Sequence, residues 1–266
     1  MLNKQIPMAA AIQLVPSGCT LAMGGMTIYR RPMAFARALV TKARRENTPN
    51  DLTLLAFTAG PESDLLVGAG IVSRVRTCYF GLEIFGLAPM FTYRANRGEI
   101  QIIEETEASL VLGIRARLAR IGFMPCRAWL GTDLPRLRPD VLTITDPYTG
   151  EELMAFPAIK PDVAVIHALR ADLEGNAQIG LNKALDEELS VAAETVIITA
   201  EEIVPQLDKA DIVAPFVQAV VHAPHGATPT SCHPFYPIDG ENLLAYIEQV
   251  SDPASFESFI AGFPDF

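Results

Sequence analysis

Three features of the sequence predict an α/β fold with an open, mostly parallel sheet covered by helices. Apolar runs of strand length alternate with helix-forming segments along most of the chain. Several of these runs, such as Val163-Ala164-Val165-Ile166, are apolar without interruption. Strands flanked by helices on both faces have that composition. The third feature is punctuation: the run Cys19-Thr20-Leu21-Ala22-Met23 stops at Gly24-Gly25, and a helical pattern starts at Pro32. That is a strand–turn–helix unit.

Taken in order, residues 8–15 read as a first helix and 20–23 as the first strand. Residues 32–45 form an amphipathic helix that ends in Lys42, Arg44, Arg45 and Glu46. Asn47-Thr48-Pro49-Asn50 is a loop,. A second strand at 52–57 closes at Gly60-Pro61, and 62–67 is a short helix. Residues 72–80 alternate well enough for a third strand. Residues 81–98 carry aromatics among four glycines or prolines, which predicts a surface excursion with a brief helix near Arg94. A fourth strand at 100–103 runs into Glu104-Glu105-Thr106-Glu107, and 108–121 is a clear helix. Residues 122–139 read as a long loop, a decorated insertion rather than a domain boundary. Strands follow at 141–145, 163–168, 195–199 and 217–221, with helices at 186–193 and 242–250. No repeat, low-complexity stretch or linker interrupts this order, so a single domain is expected over 1–266.

Bulk properties narrow the function. A chain of 266 residues, half of them hydrophobic and a fifth charged, can bury a substantial core,. The formal net charge of −10 argues against a nucleic-acid partner, which requires a basic surface,. It leaves room for small anionic ligands, for which a few local arginines suffice. No segment approaches the ~18–20 apolar residues of a membrane span. Cys19, Cys78, Cys126 and Cys232 show no C-x-x-C pair or metal spacing, which reads as reduced core thiols in a cytoplasmic protein,. Lys4, the apolar stretch before Pro16 and Pro16-Ser17-Gly18-Cys19 faintly resemble a lipoprotein cleavage box. The stretch is short and Cys19 leads straight into a strand, so a packed helix is the better reading.

Ligands of open α/β sheets collect beyond the carboxyl ends of strands, and four such ends are rich here. Gly24-Gly25 lets backbone approach a ligand closely, with N–H groups near a helix start facing its negative charge; a tight turn without a ligand has the same spacing. The motif matches neither the dinucleotide nor the P-loop pattern. At Glu104, Glu105 and Glu107 three carboxylates crowd a helix start, where the dipole stabilises them. Crowding is equally a route to an acid or base. The stretch from Phe123 to Asp133 holds the only tryptophan, Trp129, and must bury it against its own domain or another chain. The stretch from Val221 to His233 holds three of the four histidines. His222, His225 and His233 lack an i, i+4 partner and a nearby carboxylate, so no metal site is expected. Cys232 beside His233 does not read as a thiol nucleophile, because neighbours on an extended chain face opposite ways.

Further signals accompany these: Asp146-Pro147-Tyr148; Pro157 with Pro161-Asp162-Val163-Ala164; Arg170-Ala171-Asp172 with Gly175-Asn176; and Pro224-His225-Gly226-Ala227-Thr228-Pro229-Thr230-Ser231-Cys232. Together with Gly24-Gly25 and its Pro32 and Leu39, the Glu104–Glu107 cluster, and Phe123-Met124-Pro125 leading to Gly131-Thr132-Asp133, they make seven stretches in one order. The order resembles the A (alpha) subunit of family I coenzyme A transferases of the glutaconate CoA-transferase type. The resemblance covers about residues 11–246.

The resemblance implies an open-sheet α/β fold shared with ribose-phosphate isomerases and glucosamine-phosphate deaminases. It implies a B subunit of similar fold, joined in a heterodimer or heterotetramer. A glutamate of that B subunit is the nucleophile: it passes through a mixed anhydride to a glutamyl-CoA thioester before the acceptor acid takes the CoA. Coenzyme A thioester is then a substrate, with no permanently bound cofactor. The B-type motif Ser-Glu-Asn-Gly is absent; Gly240-Glu241-Asn242-Leu243 is a different context and reads as a helix start. This chain is then one wall of the active site. Gly24, Gly25 and Met26 are expected to border the acyl group or anhydride with their N–H groups. Arg30 and Arg31 are expected to reach phosphates or a substrate carboxylate, or else to face solvent. Some relatives are ring-opening hydrolases of CoA thioesters with a catalytic glutamate in the A-type chain, and others are decarboxylases. On that alternative Glu105 is the first candidate and Glu107 the second. A non-catalytic acyl-CoA-binding role is the third reading.

Overall fold

The computed structural model describes residues 3–263. The expected single domain over 1–266 therefore includes a few terminal residues that lie outside the described ones. In chain order the elements are α1 (Met8–Ala11), β1 (Thr20–Met23), α2 (Met33–Glu46), β2 (Leu52–Ala59), α3 (Pro61–Gly68), β3 (Val72–Phe80), α4 (Pro89–Asn96), β4 (Gln101–Glu104) and α5 (Glu107–Leu118). Next come β5 (Phe123–Cys126), α6 (Leu134–Leu137), β6 (Leu142–Thr145), β7 (Glu152–Pro157), β8 (Val163–Asp172), β9 (Ala177–Gln178) and α7 (Asp186–Ala192). The chain closes with β10 (Thr195–Val204), β11 (Ala219–His222), α8 (Gly240–Gln249) and α9 (Pro253–Ile260).

The main sheet runs β11-β10-β8-β1-β2-β3-β4, and these seven strands pair in parallel, with β9 antiparallel on β8. From β1 the chain steps outward through β2, β3 and β4, then returns to the other side of β1 at β8. Connections from β1 and β8 thus leave in opposite directions and open a crevice at the carboxyl ends of the strands. Helices α2, α3, α8 and α9 cover one face through residues such as Phe35, Leu39, Leu66, Tyr246 and Phe256. On the other face α5 and α7 supply Leu110, Ile114, Leu189 and Ala192. Burial on both sides is why the first halves of β8 (163–166) and β10 (196–198) read as unbroken apolar runs.

Four local expectations need correction. The first helix is shorter: α1 gives way to a 3₁₀ turn at Ile12–Leu14, because Pro16 forces Val15 into the extended region, φ −99°,. The long loop at 122–139 contains β5 and α6. Pro125 masked that strand, yet β5 lies at the edge of its sheet, where a missing N–H is tolerated,. The strand expected at 141–145 is not in the main sheet; as β6 it pairs antiparallel with the unexpected β7, which also pairs with β5. This small sheet buries Trp129, Met154 and Phe156 in a core of its own. Finally, α9 follows α8, capped by Asp252.

A buried carboxylate joins the helices of one face. Ala88 offers α4 no side-chain cap. Asp64 of α3 substitutes: its carboxylate accepts from the N–H groups of Met90 (3.2 Å) and Phe91 (2.6 Å) and from the Tyr246 hydroxyl on α8. Two orphan donors of α4 are thereby satisfied. Burial pushes the Asp64 carboxyl from its usual 3.8 up to about 6, against those hydrogen bonds. The native state therefore holds a proton that the unfolded chain has already released between about pH 4 and 6, so this residue's contribution to stability falls as pH rises through that window. Unfolding by urea at pH 5 and 7.5 should show wild type losing about 1.4 kcal/mol relative to Asp64→Asn, from the displaced titration; parallel pH profiles would refute it.

Candidate active site

Three polar clusters sit at the carboxyl ends of the parallel strands. The first is the turn after β1. Gly24 N–H donates to the Val165 carbonyl (2.9 Å), Met26 N–H to the Tyr29 carbonyl (3.0 Å), and Gly25 N–H to both carboxylate oxygens of Asp186 (3.0 Å each). A Cβ on Gly24 would stand 2.8 Å from Asp186 Oδ1, and one on Gly25, at φ +84°, 2.6 Å from the Arg30 carbonyl. The glycines are required by the protein's own packing. The turn is an anion cradle, and its anion is Asp186. The amides of Gly24, Gly25 and Met26, expected to border the acyl group, are engaged inside the chain here.

Arg30 and Arg31 sit beside this turn, and the solvent-facing alternative for them does not hold. Both are wholly buried. Arg30 pairs with Asp186 (2.7 Å) and donates to the carbonyls of His167 and Asn182; Arg31 pairs with Glu62 and donates to the Thr58 carbonyl (2.9 Å). Each guanidinium is thus paired with a carboxylate of this chain. Sequence reading missed Asp186, whose only local signal is the acidic first turn of α7.

The second cluster joins β8, β10 and the segment after β11. Buried His167 bonds through Nδ1 to Thr199 Oγ1 and through Nε2 to Glu201 Oε1, each at 2.8 Å. Glu201 also accepts from the Tyr236 hydroxyl and from the N–H groups of His225 (2.6 Å) and Gly226 (3.1 Å). Burial holds His167 below its ordinary pKa, which favours the neutral ring. Burial alone would raise the Glu201 carboxyl, but hydrogen bonds from His167 and Tyr236 outweigh it and leave the group below its usual range. Cys232 lies beside them, its thiol pushed up to about 12 by burial. The ligand-type atoms of His167, Glu201 and Cys232 lie within 4.8 Å of one another. They come from three separate segments, whereas His222, His225 and His233 are all exposed.

The third cluster is the carboxylate group at the end of β4. Glu105 turns inward and is 3 % exposed; Glu104 and Glu107 remain on the surface. Glu105 Oε1 accepts from Arg76 Nε and Arg138 Nη1, both at 2.7 Å, and Oε2 accepts from the Ser109 hydroxyl. Arg138 also binds both oxygens of Asp140 and the Glu104 carbonyl, and lies over the Trp129 ring. Trp129 Nε1 donates to Thr106, the N-cap of α5. Glu105 thus ties β3, the start of α5 and the small sheet together.

Residues 6–223 match the family model for coenzyme A transferase. The chain belongs to the coenzyme A transferase family. Across nearly its full length it is an A-type chain of that family. It is 31 % identical to the A subunit of a 3-oxoadipate CoA-transferase from Pseudomonas knackmussii, over 97 % of this chain and 93 % of that one. It is 32 % identical to the IpdA subunit of a cholesterol ring-cleaving hydrolase from Rhodococcus jostii, over 97 % and 91 %. Among solved structures, a variant of the decarboxylase AibA/AibB superposes with a TM-score of 0.88 at 28 % identity, covering 98 % of this chain and 100 % of that one. The glutaconate coenzyme A-transferase from Acidaminococcus fermentans superposes at 0.87 and 28 % identity, over 97 % and 87 %. One family frame thus carries transferase, hydrolase and decarboxylase chemistry.

Within that frame the Arg30–Asp186 pair is structural. Asp186→Ala leaves a guanidinium buried without its carboxylate and should destabilise the chain by about 3–5 kcal/mol. The apolar double replacement Arg30→Met/Asp186→Leu should recover most of that loss. Chemical unfolding of the three proteins checks both, and equal losses in the single and double variants would contradict this reading.

Proposed function

We propose that this chain is the A-type component of a heteromeric CoA-transferase that moves CoA between an acyl-CoA thioester and a small mono- or dicarboxylic acid. The observation that carries the reading is the end-to-end match to A-type chains, joined to the lack of a Ser-Glu-Asn-Gly motif in this sequence. A B subunit then supplies the nucleophile. Its glutamate attacks the acyl carbonyl and CoA thiolate leaves; the thiolate attacks the resulting anhydride at the glutamyl carbonyl and releases the first acid. The acceptor carboxylate reverses both steps. Coenzyme A is a substrate in this scheme, and no permanently bound cofactor takes part.

The chain acts as one domain that builds a wall of the shared site. Gly24, Gly25, Met26, Arg30 and Arg31 shape the end of β1 rather than touch the reacting atoms. Among the described residues no helix is long and apolar enough to cross a membrane. The four cysteines are free thiols, which supports a cytoplasmic setting.

Glu105 favours a second reading, an acyl-CoA ring-opening hydrolase or decarboxylase. It is the one carboxylate of its cluster drawn inside, between two guanidinium groups. Glu107, exposed on the first turn of α5, ranks behind it as a catalytic candidate.

The test is to purify the chain together with its B-type partner and to assay CoA exchange between an acyl-CoA and a free acid. Exchange that requires both chains, with a covalent CoA adduct on the partner by intact mass, is the expected result. Exchange by this chain alone, or an adduct on it, would refute the proposal. Glu105→Gln, checked for unchanged assembly, separates the readings: turnover within about threefold supports the transferase, and a loss beyond about a hundredfold supports Glu105 as acid or base.

A further inference from the structure

On the sheet face opposite α5, a cavity of about 490 Å³ opens between α2, α3, α8 and α9. Its volume lies in the range of small-molecule sites. Leu65, Pro229, Leu243, Phe259 and Phe263 supply apolar wall, and Tyr246 contributes its ring because its hydroxyl is held by Asp64.

Among the described residues, the charged side chain facing this space is Arg37 of α2. Its guanidinium donates to the Thr228 carbonyl (2.8 Å) and lies over the Phe263 ring, 5.8 Å from the centroid. The buried or half-buried guanidinium groups at the strand ends each have a carboxylate: Arg30 has Asp186, Arg31 has Glu62, and Arg76 and Arg138 share Glu105. Arg37 forms no ion pair among the described residues. Burial also pushes its pKa below the ordinary value, because the surroundings do not compensate the charge. Thr228, Asn242 and Gln249 also line the space but carry no charge, so Arg37 is a cation without a counter-ion among the described residues, set beside apolar wall. An anion that arrives with apolar surface of its own stabilises such a group.

We propose that this cavity binds a monocarboxylate with an apolar body, its head group on Arg37 and its tail along Leu65, Leu243 and Phe259. Such a ligand supplies both missing partners: a carboxylate oxygen pair for the guanidinium fork and hydrocarbon for the wall. The proposal does not depend on the transferase reading, since it is tested by binding rather than turnover.

The experiment titrates octanoate, and octan-1-ol as its uncharged counterpart, into the purified protein at pH 7.5 together with any chain that co-purifies, read by calorimetry. Wild type should bind one octanoate saturably. Arg37→Gln should weaken octanoate at least tenfold while leaving octan-1-ol within about twofold, which also reports an intact cavity. Ala245→Trp, which fills the space from α8, should abolish both. No saturable octanoate binding, an equal loss of both probes in Arg37→Gln, or undiminished binding in Ala245→Trp would each overturn the proposal.

Discussion

The architecture at the strand ends rests on the buried pair between Arg30 and Asp186. Each ion costs several kcal/mol to remove from water, so the pair depends on the further hydrogen bonds its members make. Gly25 N–H meets the carboxylate and the carbonyls of His167 and Asn182 meet the guanidinium, while Arg30 Nε is left without a partner among the described residues. Meeting those conditions brings the end of β1 to β8 and to the start of α7. It also dictates residue type along the turn. Gly24 has no room for a Cβ against Asp186, and Gly25 has none against the returning Arg30 carbonyl.

The same logic repeats across the sheet. Parallel strands send all their following loops to one end, so polar side chains from distant segments converge there. Arg31 and Glu62 close the end of β2, His167 and Glu201 join β8 to β10, and Glu105 gathers Arg76 and Arg138 at the end of β4. The guanidinium clusters are largely neutralised from within, whereas Glu201 is held by hydrogen bonds from the neutral His167, from Tyr236 and from backbone N–H groups. Glu105 alone among these carboxylates combines burial with two cationic neighbours at the sheet's outer edge.

Secondary structure was legible wherever pattern and burial coincide. The apolar runs of β1, β2, β8 and β10 and the helical patterns of α2, α5 and α8 are local signals, and the strands and helices stand where those signals lie. Reading failed where the signal was weak or contradicted. Pro125 disguised an edge strand, and β7 ends in Pro157 without clean alternation. The turn at Gly24-Gly25 was recognisable as an anion cradle, but its anion lies 161 residues away. The histidine-rich stretch singled out His222, His225 and His233, while the buried histidine is His167, directly after the apolar run that opens β8.

By itself the sequence determined the fold class, the helical and extended segments and the family order of motifs, because each depends on neighbours a few residues apart. Only the tertiary structure decided which charges meet. Asp186 reaches Gly25, Arg138 reaches Glu105, and Glu201 reaches His167 through strand order and loop return. A buried ion is assigned its partner by three-dimensional closure, since desolvation penalises every arrangement that leaves it alone.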